Sequence, residues 1–164
     1  MTRVISCAQL GRVPLVTLLA RYGMRLDWLP PGSEIAGSFW GGSEAGLIGN
    51  ALLVRDDTPV HSALHEAGHF ICMDSARRAG LHTDADSDDL EEVAVCYLQA
   101  ILADHLPGYD RRQLLLDMDA WGYSFRLGSS RAWFEQDAGD ARDWLCRHGL
   151  IDARNQPTWQ LRQD

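Results

Sequence analysis

Two histidines four residues apart, with a glutamate directly after the first, are the side chains best placed to do chemistry: His65-Glu66-Ala67-Gly68-His69. On an α-helix, positions i and i+4 share a face, so both imidazoles can offer a ring nitrogen to one ion. Glu66, one position on, can reach a water beside that ion without being a ligand. This is the arrangement of a zinc hydrolase with glutamate as general base. The neighbours Ala63, Leu64, Ala67, Phe70 and Ile71 are uncharged, so the helix is expected to be buried round most of its girth. A carboxylate in that setting needs compensation, and a divalent cation supplies it directly. His61 extends the stripe, but helical rise sets it about 12 Å from His69, so a structural or entrance role is expected.

Two histidines leave a zinc site one protein ligand short. Phe70, Ile71 and Cys72 occupy the stretch where a His-x-x-Gly-x-x-His continuation would run, so that arrangement is excluded. The third ligand must come from further along. His82 is a remote option in a polar loop. Glu91 and Glu92 open an apolar segment, Glu91-Glu92-Val93-Ala94-Val95-Cys96-Tyr97-Leu98. Helical phase favours Glu91, which shares a face with Ala94, Val95, Leu98 and Leu102. Glu92 shares its face with Val95, Cys96 and Gln99, a more polar stripe. Either acid could instead serve only the helix dipole.

The elements that must position these groups read as follows. Residues 14–22 form a helix with Leu15, Leu18 and Leu19 on one face, and 24–29 a short strand. Strands are expected over 35–40 and 47–54, joined through Gly41-Gly42-Ser43-Glu44. Thr58 and Pro59 suit the N-cap and first turn of the metal helix, which is expected to run to Arg78 and stop at Gly80. The acids of 83–92 do not form a calcium loop, because Asp89 stands where glycine is needed and Val95 where a bidentate Glu is needed. They cap a helix from about Asp88 to Ala103. Helices over 110–118, 130–136 and 140–148 follow, with Trp121, Trp133 and Trp144 as packing residues. The segment from 152 to 164 reads as a loose tail. The whole is one α+β domain over 1–164: helix and sheet in 14–54, metal-binding helices in 58–103, and C-terminal helices in 108–150.

Composition narrows the partners. The chain of 164 residues carries a formal net charge of -8, which disfavours a broad basic face for nucleic acid. The four cysteines lack Cys-x-x-Cys spacing and suit a reducing, cytoplasmic setting. Arg12 and Pro14 interrupt the apolar N-terminus, and no apolar run has the length of a membrane span.

The order of elements and the motif His65-Glu66-x-x-His69 followed by Glu91-x-x-Ala94-x-x-Tyr97-x-x-x-Ile101-Leu102 resemble the ImmA/IrrE family of small gluzincin-like metallopeptidases. The resemblance covers about 35–102. It implies a minimal zincin-like fold, Zn2+ held by His65, His69 and Glu91, and Glu66 as catalytic base. Val95 stands where the family usually has Asn, and nothing after Pro107 matches. The expected activity is hydrolysis of a peptide bond in a protein or peptide substrate such as an intracellular regulator. A substrate strand is expected to add to the 47–54 edge, with Tyr97, His105, Tyr109, Tyr123 or His148 stabilising the oxyanion. The alternative is a catalytically silent zincin-like module in a toxin–antitoxin or repressor system.

Overall fold

The computed structural model describes residues 4–38, 41–80 and 88–164. Among them are eight helices and one small mixed sheet of three strands, an α+β arrangement. Ser6 opens α1 (Cys7–Leu10) with a capping box, its hydroxyl accepting from the Gln9 amide while the Gln9 side chain accepts from the Ser6 amide. Then α2 (Arg12–Ala20) buries Leu15, Leu18 and Leu19, as its periodicity requires. The strands are β1 (Arg25–Trp28), β2 (Gly46–Ile48) and β3 (Ala51–Val54). Their order is β1-β3-β2, with β1 parallel and β2 antiparallel to β3, so Leu26 and Leu47 flank the fully buried Leu52.

The sheet departs from the expected pairing. The segment read as one strand over 47–54 is a hairpin, because Gly49 at φ 59° and Asn50 form a two-residue turn. Residues 35–38 are not a strand, and the rest of that expected strand lies outside the described residues. Gly37 takes φ 76° and its carbonyl accepts from the Leu47 amide at 3.1 Å. This segment lies so close to β2 that a Cβ on Gly46 would stand 2.1 Å from the Ala36 carbonyl oxygen.

After β3 the chain turns directly into α3 (Val60–Cys72), whose N-cap is Pro59 rather than Thr58. The helix stops at Cys72, short of the expected Arg78. Met73 is extended, and Asp74 caps a separate helix, α4 (Ser75–Ala79), by accepting from the Arg77 amide. Asp88 likewise caps α5 (Asp89–Ala103) by accepting from the Glu91 amide at 2.7 Å. Then come α6 (Arg111–Trp121), α7 (Ser130–Gln136) and α8 (Gly139–Arg147).

The core is built round α5, which packs against α3, α6 and α8 and is buried from Ala94 to Ala103. Leu64 and Ile71 of α3, Leu98, Ile101 and Leu102 of α5, and Met118 of α6 have essentially no exposed surface. Contact between α3 and α5 depends on Gly68, where a Cβ would meet Val95 Cγ1 at 2.8 Å. That close approach sits between the two histidines of the motif.

The segment after Asp152 is docked, not loose. Ile151 bridges Pro157, and Arg21 lies over the Trp159 ring at 3.4 Å. The Arg162 amide donates to the Ile71 carbonyl at 3.0 Å, while Arg78 donates to the Arg162 carbonyl at 2.9 Å. The polar composition hid this because only Trp159 and Leu161 pack against the core, and arginines and backbone groups make the remaining anchors. Among the described residues, no helix is long and apolar enough to cross a membrane.

Candidate metal centre

The centre is assembled from two helices held in contact by Gly68 and Val95. From α3, His65 and His69 turn their rings toward one another, with centroids 4.7 Å apart and planes at 88°. Their Nε2 atoms are 3.1 Å apart. From α5, Glu92 faces both, with Oε1 3.0 Å from His65 Nε2 and Oε2 3.1 Å from His69 Nε2. Three donor groups thus form a triangle, two imidazole nitrogens and a carboxylate that turns one oxygen to each of them. A tetrahedral zinc site, with metal–nitrogen distances of about 2.0–2.1 Å, has edges of about 3.3 Å. The donor chemistry and the spacing fit a divalent ion, and His65, His69 and Glu92 form a group that could hold one.

Sequence phase favoured the neighbouring acid, and here the structure differs. Glu91 points away from the histidines into a basic clamp. Its carboxylate accepts from Arg77 at 2.5 and 3.1 Å and from Arg162 at 3.1 Å, with 3% of the side chain exposed. The apolar stripe correctly marks Glu91 as buried. The charge is compensated by two guanidinium groups instead of an ion, and one of them lies 71 residues away in sequence. The polar stripe Glu92-Cys96-Gln99 is the one that faces α3. Polarity on an otherwise buried helix was therefore the available signal for the third ligand, and for Gln99, which sequence reasoning passed over. His82 lies outside the described residues.

Gln99 is fully buried. Its Oε1 is 2.8 Å from His65 Nδ1 and its Nε2 donates to the His61 carbonyl at 2.8 Å. His61 itself is buried behind the site, its ring edge-on to Trp121 and Tyr123 at 5.3 and 5.5 Å. Burial, with a smaller push from His65, lowers its pKa to about 3, so it is neutral and structural. It is not a ligand.

Without an ion, the triangle behaves as a charge pair. Burial disfavours charge on both partners, yet the surroundings outweigh it: Tyr123, Cys96 and Glu92 raise the His65 pKa well above the imidazole range, and the two histidines hold Glu92 well below the carboxylate range. Glu66 stands beside this group and forms no hydrogen bond or ion pair with another described residue. Burial raises its pKa; the two histidines oppose the rise, and Glu92 and Glu44 add to it. A carboxyl with its affinity for a proton raised and no committed partner is suited to proton transfer.

The surroundings shape the approach. Ser62, one turn before Glu66, donates to Glu44 Oε2 at 2.5 Å, and the Trp121 indole donates to Glu44 Oε1 at 2.5 Å. Glu44 therefore ties the loop before β2 to the end of α6 across α3. Of the five oxyanion candidates, only Tyr123 is at the site, its ring 5.9 Å from that of His65. Tyr97 pairs with Asn155, Tyr109 with Asp117, His105 with Trp159, and His148 with Asp164. The expected strand-addition edge is not free, since β3 lies inside the sheet and residues 36–38 line the outer side of β2.

Comparisons of the chain with protein-family models, with curated proteins and with solved structures give no match.

Proposed function

We propose that this chain is a zinc-dependent peptidase with a gluzincin-like site, in which His65, His69 and Glu92 hold the metal and Glu66 is the general base. The observation that carries the reading is the convergence of two imidazole nitrogens and one carboxylate, each group 3.0–3.1 Å from the next, with the uncommitted, half-buried Glu66 carboxyl alongside. A bound zinc ion would supply Lewis-acid polarisation of a carbonyl and a lowered pKa for water. Glu66 would take a proton on its carboxylate from that water and return it to the departing amine. His65 and His69 would bind as neutral imidazoles, so loading displaces the proton that the His65–Glu92 pair otherwise keeps. Glu92 has 43% of its side chain exposed, which leaves the acid side of the triangle open to solvent and substrate.

The substrate class follows the resemblance to ImmA/IrrE peptidases: a protein or peptide, of the kind represented by an intracellular regulator. A second reading, a zincin-like binding module without turnover, draws on the occupied outer edge of β2, which leaves no free strand there for a peptide. The two separate on one experiment. The zinc-loaded protein is incubated with a denatured protein mixture and new termini are read by mass spectrometry, alongside Glu66→Gln. Cleavage by the wild type that falls by about 10²-fold or more in Glu66→Gln, with one zinc retained in both, supports the peptidase. One zinc and no new termini in either protein supports the module.

A further inference from the structure

We propose that Gln99 is a positioning residue that fixes the tautomer of His65 and so presents its Nε2 as a metal donor; this rests on His65, His69 and Glu92 being the ligand set. Gln99 lies on α5 seven residues after Glu92, which is two turns along the same face. Its amide has one accepting end and one donating end. Nε2 stands 2.8 Å from the His61 carbonyl, an oxygen that can only accept. The orientation of the amide is thereby decided, and Oε1 is the atom 2.8 Å from His65 Nδ1. A carbonyl oxygen at that distance demands a hydrogen on Nδ1. In the neutral imidazole the lone pair then falls on Nε2, the atom directed at His69 and Glu92. Turning the amide over would set oxygen against oxygen at His61, so the arrangement has one solution.

The anchor strengthens the argument. The His61 carbonyl belongs to α3, one turn before His65 on the same helix. The amide is therefore held by the element that carries the imidazole it orients, and small movements of α5 do not misalign the two. His69 has no such support: its Nδ1 is buried without a hydrogen-bond partner among the described residues. The two histidines are thus unequal, and His65 is the ligand whose geometry is set in advance of metal binding.

Two variants of similar length test this, Gln99→Met and Gln99→Glu. Both remove the donor to His61, but Glu keeps an acceptor for His65 Nδ1–H. Affinity for Zn2+ and Co2+ is measured by chelator competition, with melting of the metal-free proteins as a check on folding. The expected result is a loss of about 10–100-fold for Gln99→Met and much less for Gln99→Glu. A second readout is the proton–nitrogen spectrum of the zinc-loaded protein, where His65 Nδ1–H should be protected in the wild type and lost in Gln99→Met. Equal weakening of both variants would make Gln99 a mere tie between helices and overturn the proposal, leaving the ligand set intact. Absence of a protected Nδ1–H in the loaded wild type overturns it even if Gln99→Met does not fold. A wild-type protein that takes up no metal removes the ligand set and this inference together.

Discussion

Two adjacent glutamates carry unrelated duties, and single substitutions should separate them. Glu92→Gln keeps the fold while removing a charged donor, and zinc affinity should drop by about 100-fold or more in chelator competition. Glu91→Gln leaves Arg77 and Arg162 facing a neutral amide in a buried setting, a loss on the order of 3 kcal/mol in urea unfolding. It should still bind one metal at low temperature. His61 gives a pH signature. Burial lowers its folded pKa to about 3, against an ordinary value of 6.5 in the unfolded chain. Between those values the unfolded chain holds a proton the native one does not, so stability falls as pH falls, approaching about 1.4 kcal/mol per pH unit. From pH 6 to pH 5, in chelator, the wild type should lose about 1 kcal/mol more than His61→Phe, which keeps the ring contacts to Trp121 and Tyr123.

At the scale of elements, the centre depends on how closely α3 and α5 approach. Gly68→Ala forces a methyl to within 2.8 Å of Val95 Cγ1 and should cost about 1–3 kcal/mol. Val95→Ala in the same chain should recover part of that, an interaction a double-mutant cycle would read directly. What the sequence made legible follows a physical line. The His65–His69 spacing, the cap at Asp88 and the burial of Leu15, Leu18 and Leu19 are local properties, and periodicity or turn chemistry exposes them. Helix phase also marked Glu91 as buried, correctly. It could not say what met the charge, because Arg162 arrives from a distant segment. The Gly49-Asn50 dipeptide is a turn signal, but the longer Gly41-Gly42-Ser43-Glu44 run next to it reads as the stronger punctuation and draws the hairpin to the wrong place. Capping by Asp74 outweighed a helical pattern that otherwise continued to Gly80.

For the whole molecule, metal binding should register as stability. An ion that binds only the folded chain adds about 4 kcal/mol at a thousandfold excess over Kd, which for a domain of this size raises Tm by about 8–16 °C. Chelator should reverse the shift, and Glu92→Gln should not show it. A last consequence comes from Arg162, which reaches back to Glu91, the residue just before the acidic donor, and to the Cys72 carbonyl at 3.2 Å. Both histidines leave the ribosome long before that arginine does. The clamp round Glu91 therefore closes only once the last segment of the chain is made, and a backbone cut after Thr158 should loosen α5 while leaving His65, His69 and Glu92 themselves untouched.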